Sequence, residues 1–528
     1  MNRCTRRDKF ERKGADFGNL RNLEVEMISE KDTICAIATG TGSAGIGIVR
    51  LSGPEAIGIA GKLFRGKRRL SELKSYTAAY GHLVRPAGIG REENEEILDE
   101  VIALVMRAPH TYTTEDVVEL SCHGGPLVMR RVLDALVYAG ARLAEPGEFT
   151  KRAYLGGRID LTEAEAVMDV IAAENDRALS ASLQQLRGGL RDEVADLREK
   201  ILYETAYIES ALDDPENYSL EDYADRIGTV LAESKKRIRS LIAGAEEGRM
   251  LRQGIRTAIV GRPNAGKSSI LNLLLGEERA IVTEIAGTTR DILEEKAILG
   301  GVQLVLVDTA GIRETSDAVE KIGVQRAKAA VETADLILLV IDAAEPLSGE
   351  DKELLRSISE DTASAEPGNA ADEKQGSGQK HAPILVLLNK NDLDTVVSAK
   401  DLEQILKGNG IGLFGDTDTS KRTGRVLEIS AATGDGKDRL AEAVQELFFS
   451  GKLTDSQEQY ILNARHNEAL QDALSALSRV SDSVEDGVGE DFYTIDLLAA
   501  YEALGRITGE TLEDDLADKI FKEFCMGK

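Results

Sequence analysis

The segment GRPNAGKS, residues 261–268, constrains the fold of this chain more than any other stretch. It fits the pattern G-x-x-x-x-G-K-[ST], with the strand-like run TAIV before it and the helix-prone run SILNLLL after it. In such a strand–loop–helix unit the glycines let backbone N–H groups cradle phosphates, Lys267 reaches the β and γ oxygens, and the Ser268 hydroxyl ligates Mg²⁺. The segment therefore predicts a nucleotide-binding α/β domain.

Four further motifs follow in the order expected of a GTP-binding domain. AGTTRD supplies Thr289, which is placed to close on Mg²⁺, and DTAG supplies Asp308 near the metal and the Gly311 N–H for the γ-phosphate. NKND supplies Asp392, whose carboxylate accepts hydrogen bonds from guanine N1–H and N2–H, a pair that adenine lacks. SAA at 430–432 covers the guanine O6 with backbone N–H groups. The motif set predicts that the nucleotide is GTP.

The residue after DTAG departs from the Ras-like pattern. Ras-like proteins place a Gln there to orient the attacking water, whereas this chain has Ile312, which neither donates nor accepts a hydrogen bond. The water must then be placed by another group, or hydrolysis must be slow. Asn264 lies where a monovalent cation can be ligated beside the phosphates and neutralise developing charge. Glu320, in the helix-prone segment DAVEKIG, is either the group that places the water or an ordinary solvated residue.

Composition narrows the classes of function. With 528 residues the chain is long enough for two to four domains. The formal net charge of −27 argues against a non-specific nucleic-acid coat. It leaves room for a structured RNA at a local basic patch, and FRGKRR at 64–69 and KKRIR at 235–239 are the best candidates, although each also fits a solvated face. No apolar run approaches the roughly 18–20 residues that span a bilayer. The four cysteines show no C-x-x-C pairing, which disfavours zinc, an iron–sulfur cluster and disulfides and predicts a reducing cytosol.

Apolar periodicity divides the chain into an α+β part, a helical part and an α/β part. Short β-rich runs with one helix-like stretch, PLVMRRVLDALVYAG, form the first part, and long amphipathic stretches form the second. Runs such as LILLVID and ILVLLNK then alternate with helical segments, which is typical of a doubly wound sheet. The simplest interpretation is a Ras-like α/β domain inserted into a helical domain. The predicted domains are an α+β domain at 27–147, a helical domain at 148–250 and 452–528, and the inserted α/β domain at 251–451.

Several segments stand apart from these domains. Residues 1–26 lack the apolar core of a secretory signal and are expected to be a disordered or non-native extension. The segment LEVE directly before Met27 can be encoded with a GGAGG-like ribosome-binding sequence, so we expect Met27 to be the true start. Residues 361–380 and 408–424 are low in large apolar residues, which predicts solvated insertions. GTGSAG at 40–45 matches G-x-G-x-x-G, but a strand-like run follows it, so it predicts a glycine-rich turn rather than a dinucleotide site.

Six segments of the chain resemble the MnmE/TrmE family of tRNA-modification GTPases: GRPNAGKSS, IVTEIAGTTRD, DTAGIRETSDAVEKIG, VELSCHGGP, PGEFTKRAYLGGRIDLTEAEAVMDVI and the terminal FCMGK. The likeness runs from about residue 32 to Lys528. The resemblance implies an N-terminal α+β domain that binds folate and forms the dimer, a central helical domain, and a P-loop G domain inserted into the helical domain.

The resemblance also implies an activity and partners. Such an enzyme is a cytoplasmic bacterial homodimer that binds tRNA and an FAD-dependent partner protein in a heterotetramer, with no membrane and no DNA. It adds an aminomethyl or carboxymethylaminomethyl group to carbon 5 of the wobble uridine of certain tRNAs. The one-carbon unit comes from 5,10-methylene- or 5-formyl-tetrahydrofolate, FAD resides on the partner only, and K⁺ stimulates the hydrolysis of GTP to GDP.

Site residues follow from the resemblance position by position. K⁺ is assigned to Asn264, Thr283, Ile285 and Thr288, Mg²⁺ to Ser268 and Thr289, folate to Arg50, Glu119, Arg158 and Lys528, and catalysis to Glu320, Lys267 and Cys525. The GTP-binding set is Asn264, Ala265, Gly266, Lys267, Ser268, Ser269, Thr283, Glu284, Ile285, Ala286, Gly287, Thr288, Thr289, Asp308, Thr309, Ala310, Gly311, Asn389, Lys390, Asp392, Ser430, Ala431 and Ala432. Cationic groups suit the carboxylates of the folate tail, and a carboxylate suits the pterin N–H donors. Arg158 stands where some relatives have Lys, which retains the charge and changes the hydrogen-bond geometry.

Two alternative functions stay open. A ribosome-assembly GTPase of the Era or EngA type shares the Asn-bearing phosphate loop, TTRD and DTAG, but it would carry a second GTPase unit or a KH-like RNA domain, and the sequence shows neither. A non-catalytic GTP-gated scaffold is suggested by Ile312.

The roles of two cysteines are separate questions. Cys525 is either structural, close to the substrate, or a nucleophile. For Cys122 and His123 we expect a packing or turn role, because neighbours on a strand point to opposite faces.

Overall fold

The computed structural model describes residues 32–40, 42–85, 96–221, 223–276, 295–307, 333–360, 382–409, 411–413, 423–449, 460, 462–510 and 520–521. The chain divides into two compact units, which are described separately. The first contains residues 1–168, 186–231 and 475–528, and the second contains 169–185 and 232–474. The predicted extension at 1–26 and the predicted insertion at 361–380 lie outside the described residues, and the predicted domain boundaries stay predictions.

The first unit is built on a seven-stranded sheet with the order β3-β4-β5-β6-β2-β1-β7. Its strands are β1 Ile34–Ile37, β2 Gly47–Ser52, β3 Phe64–Gly66, β4 Thr77–Val84, β5 Ile97–Met106, β6 Val117–Cys122 and β7 Arg142–Leu143. All neighbours pair antiparallel except β1 with β7. Helices α1 Ala56–Leu63 and α2 Pro126–Tyr138 pack on one face of the sheet, because alternate strand residues point to that side.

Two predictions for this sheet are tested directly. The segment GTGSAG connects β1 to the antiparallel β2, so the prediction of a turn rather than a dinucleotide fingerprint is confirmed in the described part of that segment. Helix α1 was not predicted, because we expected a single helix in this region. Its eight residues include Gly58 and Gly61, which lower helix propensity and hide the signal, and burial of its apolar side against the sheet compensates.

The remaining helices are divided between the two units. Helix α3 spans Glu148–Leu155, and helices α4 Leu161–Ala172, α5 Asp176–Leu186, α6 Gly189–Asp213 and α7 Tyr223–Gln253 follow. Near the C terminus are α12 Ala464–Glu485 and α13 Tyr493–Thr508. The long helix α6 packs against α13. It does so because its buried side chains recur every three or four residues along one face, at Leu190, Val194, Leu197 and Ile201.

The second unit contains a doubly wound sheet of seven strands with the order β13-β14-β12-β11-β8-β10-β9. The strands are β8 Ile255–Val260, β9 Glu295–Leu299, β10 Val302–Val307, β11 Leu336–Asp342, β12 Ile384–Asn389, β13 Gly412–Leu413 and β14 Thr423–Glu428. All pairings are parallel except β9 with β10. Helices α8 Lys267–Leu275, α9 Gly349–Glu360, α10 Ala399–Gly408 and α11 Lys437–Phe448 belong to this unit.

Two apolar clusters surround this sheet. One contains Leu304, Leu338 and Leu387, and the other contains Ile337, Leu339 and Val386, so successive residues of the central strands serve opposite faces. Burial on both faces explains the continuous apolar runs of the sequence. The predicted fold class is confirmed. One detail is wrong: part of the expected insertion at 408–424 is strand β13, which pairs with β14.

Candidate functional site

The phosphate loop joins β8 to α8, as the sequence predicts. Gly261 and Gly266 have φ values of 154° and 100°, and Asn264 between them has a φ of 64°. A Cβ atom on Gly261 would lie 2.5 Å from the Val340 carbonyl oxygen, and one on Gly266 would lie 2.1 Å from the Asn389 side chain. Both glycines are therefore required by backbone conformation and by close approach of neighbouring groups.

Lys267 directs its ammonium group into this loop. Nζ donates hydrogen bonds of 2.8 Å to the carbonyl oxygens of Gly261 and Arg262. Burial lowers the pKa of the Lys267 ammonium, because desolvation disfavours its charged form. Ser268 and Ser269 are exposed in the first turn of α8, where free backbone N–H groups and the helix dipole favour an anion.

The predicted guanine motifs meet the phosphate loop through Asn389, which is 2% exposed. Its Nδ2 donates to the Ala265 carbonyl at 3.0 Å, and its Oδ1 accepts from the Ala431 N–H at 3.0 Å. The Ser430 hydroxyl donates to Asp392 Oδ1 at 2.6 Å and fixes the carboxylate that is predicted to bind guanine. Three sequence-distant motifs thus share one edge of the sheet, where the parallel strands β8, β12 and β14 end.

Part of the predicted nucleotide site lies outside the described residues. This holds for residues 283–289, Asp308 to Gly311 and Glu320. Their predicted roles stay predictions, as do those of Cys525 and Lys528 at the C terminus.

The predicted folate residues Arg50 and Glu119 form an ion pair in the first unit. They are directly opposite on β2 and β6, and Arg50 Nε and one terminal nitrogen approach Glu119 Oε1 at 2.9 and 2.8 Å. Within the described residues no protein group donates to Glu119 Oε2. That oxygen can therefore accept a hydrogen bond from a ligand N–H.

Two aromatic rings that the sequence did not reveal complete this site. The Arg50 guanidinium carbon lies 5.8 Å from the ring centroid of Tyr112 and 5.7 Å from that of Phe149. Arg158 contacts the same tyrosine, at 5.1 Å, and donates to the Thr111 carbonyl at 3.0 Å. The structure thus brings Arg50 and Arg158 to one ring, and Glu119 is joined to this pair through its ion pair with Arg50. No spacing rule marks Tyr112 or Phe149, because each comes from a connection or short helix and meets the arginines only in the folded chain.

The C-terminal segment packs against residues that are close to Arg158 in the sequence. Phe521 is 2% exposed and packs on Leu161 and Ala164, and its ring centroid lies 5.9 Å from that of Tyr154. The Tyr154 hydroxyl in turn donates to the Gly509 carbonyl at 2.8 Å. These contacts hold the chain four residues before Cys525 against the residues that flank Arg158.

The adjacent residues Cys122 and His123 contact different groups, the Leu120 carbonyl and the Asp99 carboxylate. Cys122 is 3% exposed, and burial raises its pKa to about 12, which makes the thiol unreactive. The exposed His123 ring pairs through Nδ1 with Asp99 at 2.7 Å, and this hydrogen bond raises the histidine pKa. The expectation of a packing and turn role is therefore confirmed for this pair.

The metal ligands predicted among the described residues are oxygen donors of the phosphate loop. No group of three or more His, Cys, Asp or Glu side chains is arranged there to hold a metal. The Ser268 hydroxyl and the Asn264 amide are hard oxygen ligands beside the phosphate loop, which suits Mg²⁺ and K⁺. In the same part of the chain no helix has the length and apolarity to cross a membrane.

The geometry defines the class of this protein. A phosphate loop after a central parallel strand, tied by one asparagine to an NKND and an SAA motif, is a P-loop GTPase domain. Family models extend this result to the rest of the chain. The model described as "GTP-binding protein TrmE N-terminus" matches residues 33–158, and the model described as "MnmE helical domain" matches residues 161–525.

Curated relatives agree over almost the full length. The chain is 49% identical to the "tRNA modification GTPase MnmE" of Lachnoclostridium phytofermentans over 500 residues, which cover 94% of this chain and 99% of that protein. Proteins of the same description from Enterococcus faecalis and Listeria welshimeri are 42% and 43% identical, each over 94% of this chain and over 99% and 100% of their own. The chain belongs to the MnmE/TrmE family of tRNA modification GTPases, which confirms the resemblance found in its motifs.

Proposed function

We propose that this protein is a GTP-hydrolysing tRNA-modification enzyme. Together with an FAD-dependent partner it adds an aminomethyl or carboxymethylaminomethyl group to carbon 5 of the wobble uridine of certain tRNAs, using a tetrahydrofolate one-carbon unit. The observation that carries the proposal is the presence, in one member of this family, of a guanine-type nucleotide site and a second site where Arg50 and Arg158 contact Tyr112 and Glu119 pairs with Arg50. The description of the relatives as tRNA modification GTPases supports the GTP hydrolysis and the tRNA modification in this proposal.

GTP binding is assigned to the motifs that surround the phosphate loop. Lys267 neutralises the β and γ oxygens, and Asp392, held by Ser430, accepts the guanine N–H donors. Mg²⁺ and K⁺, when bound, spread the negative charge that develops on the transferred phosphoryl group. Ser268 with Thr289 would hold Mg²⁺, and Asn264 with residues 283, 285 and 288 would hold K⁺. Because Ile312 cannot orient a water molecule, Glu320 takes that role in the proposal.

Folate binding is assigned to the site around Tyr112. Glu119 Oε2, to which no group of the described residues donates, suits a pterin N–H donor, and the aromatic ring offers a flat apolar surface for a heterocycle. Arg158 is exposed, and its guanidinium suits a carboxylate of the folate tail. Lys528 would add a second cation, because Phe521 holds the C-terminal segment beside this region.

Exposed residues of the first unit support two of the proposed partners, a second copy of the chain and tRNA. The sheet face opposite α1 and α2 exposes Tyr80 and Ile102, which are 60% and 51% accessible and lie opposite each other on β4 and β5. Two large exposed side chains on a sheet face suit contact with a second copy of the chain, which supports a homodimer. The exposed basic run at 65–69 is the candidate contact for tRNA. The remaining partner is the FAD-dependent protein, in a heterotetramer in the bacterial cytoplasm.

Nucleoside analysis of tRNA from cells that lack this protein tests the proposal. We expect the wobble uridine of the affected tRNAs to lose its carbon-5 substituent and to regain it when the wild-type gene is restored. Restoration with Arg50→Ala should fail while GTP turnover of the purified variant persists, since that residue lies in the first unit. Unchanged wobble uridines in the deletion strain would overturn the assignment.

GTP turnover in K⁺ and in Na⁺ separates the alternatives. Strong stimulation by K⁺ together with binding of 5-formyl-tetrahydrofolate is expected of the proposed enzyme. Equal slow rates in both salts would favour a GTP-gated scaffold, and turnover without folate binding would favour a ribosome-assembly GTPase.

A further inference from the structure

A buried carboxylate lies between the phosphate loop and the guanine motif. Asp342 ends strand β11 and is 3% exposed. Its Oδ2 accepts a 2.6 Å hydrogen bond from Lys390 Nζ, and its Oδ1 accepts from the Ala344 N–H at 3.0 Å. A terminal nitrogen of Arg262, the second residue of the phosphate loop, lies 3.9 Å from the same Oδ2. Asp342 belongs to none of the nucleotide-binding motifs of the sequence.

Lys390 has a conformation that needs support. It is the second residue of NKND, and its φ of 66° lies in the left-handed region that non-glycine residues rarely adopt. Such conformations persist where the surroundings hold them. The buried Asp342 carboxylate supplies that hold through the ammonium group, while the neighbouring Asn389 ties the backbone to the phosphate loop.

Arg262 brings the phosphate loop into the same charge cluster. Its guanidinium lies 2.5 Å from the exposed Glu345 and 3.5 Å from the buried Asp351, in addition to its longer contact with Asp342. Asp342 therefore lies close to one cation from each motif, Lys390 of NKND and Arg262 of the phosphate loop. Because strands β11 and β12 are paired in register at Asp342 and Asn389, these contacts are made on a rigid part of the sheet.

We propose that Asp342 is a positioning residue for guanine-nucleotide binding. It fixes the Lys390 side chain before the ligand arrives and links the guanine motif electrostatically to the phosphate loop. The entropic cost of ordering the Lys390 side chain is then met during folding rather than during binding, which increases the affinity for the nucleotide. The inference rests on the proposed function, since it concerns the same GTP site.

Nucleotide affinity and turnover of the full-length protein test this role. Asp342→Asn keeps the shape and the acceptor for Ala344 and removes the charge. We expect it to raise the Kd for a fluorescent GDP analogue and the KM for GTP by about tenfold, as expected for one charge-assisted hydrogen bond, with kcat retained. In a Lys390→Gln background the same change should have less than about a twofold effect, because its partner is already gone. The control is Glu345→Gln, which removes an exposed partner of Arg262 and should change neither constant by more than about twofold.

The outcomes distinguish a failure of the proposed function from a failure of the positioning role of Asp342. If the wild-type protein binds no guanine nucleotide, the proposed function falls and this role falls with it. If the wild type binds and Asp342→Asn binds equally well, or if the two substitutions act independently, the positioning role alone is wrong. If Asp342→Asn does not fold, the pair is tested from the lysine side. Lys390→Arg, which retains the ion pair, should then keep at least half of the affinity that Lys390→Gln loses, and equal affinity of the two would overturn the proposal.

Discussion

Replacement of Phe521 by alanine tests whether the C-terminal segment belongs to the folate site. The ring is almost fully buried against Tyr154, Leu161 and Ala164. Phe→Ala changes in cores cost about 3–5 kcal/mol, and we expect the lower end here because the described contacts form a small satellite cluster. A loss of about 3 kcal/mol shifts the docking equilibrium of the segment roughly 150-fold toward the detached state. The terminal Cys525 and Lys528 would then lose their anchor.

The assay compares two activities of the purified full-length variant. Phe521→Ala should lose most tRNA modification and become sensitive to carboxypeptidase, whereas its GTP turnover should stay within about twofold of the wild type, since the contacts described for Phe521 lie in the first unit. The matched control is Phe492→Ala, the same change at a ring that is 56% exposed, which should alter stability by no more than about 0.5 kcal/mol. Full modification by Phe521→Ala would refute the inference that the anchored terminus serves the site.

Three further predictions concern other parts of the chain. Burial raises the pKa of Cys35 and of Cys122 to about 12, so iodoacetamide at neutral pH should label neither thiol in the native protein and both in urea. Peptide mass spectrometry checks this, and native labelling would contradict it. The Asp99 hydrogen bond raises the pKa of His123 above its usual 6.5, so the pair stabilises the fold below about pH 6.5 and loses this contribution as pH rises through the folded-state pKa. The stability difference between wild type and Asp99→Asn in urea titrations should therefore shrink toward alkaline pH, and a difference independent of pH would count against the pair. Glu174→Ala removes the acceptor for hydrogen bonds of 2.7 and 2.6 Å from the β9–β10 hairpin and should lower the free energy of unfolding by about 1–3 kcal/mol, which chemical denaturation would detect.

The nucleotide site was predictable because its parts are local. A phosphate loop needs glycines at fixed positions and a lysine and hydroxyl at its end, and these demands are visible as spacing in the sequence. The parallel strands then carry NKND and SAA to the same sheet edge, so strand-like runs before each motif were enough to group them. Asp342 escaped prediction, because its partner Lys390 is 48 residues away and only the pairing of β11 with β12 brings them together.

The second site was predictable only through the resemblance. Arg50 and Glu119 are 69 residues apart and meet because β2 and β6 pair in one particular register. A register depends on the whole sheet, and a shift of one strand by one residue would turn its side chain to the other face and separate the pair. Tyr112 and Phe149 show no periodic signal, so aromatic contacts to the arginines appear only in the folded chain.

The geometry around Arg158 shows what an arginine offers at this position that a lysine would not. The flat guanidinium faces the Tyr112 ring at 5.1 Å and at the same time donates in its own plane to the Thr111 carbonyl at 3.0 Å. A lysine ammonium is a compact charge and has no planar face with which to stack while its donors are engaged. The side chain is exposed, so the same residue that contacts the tyrosine can offer its guanidinium to a ligand carboxylate. Arginine therefore joins two tasks, ordering the aromatic ring and recognising an anion, which a lysine would have to perform one at a time.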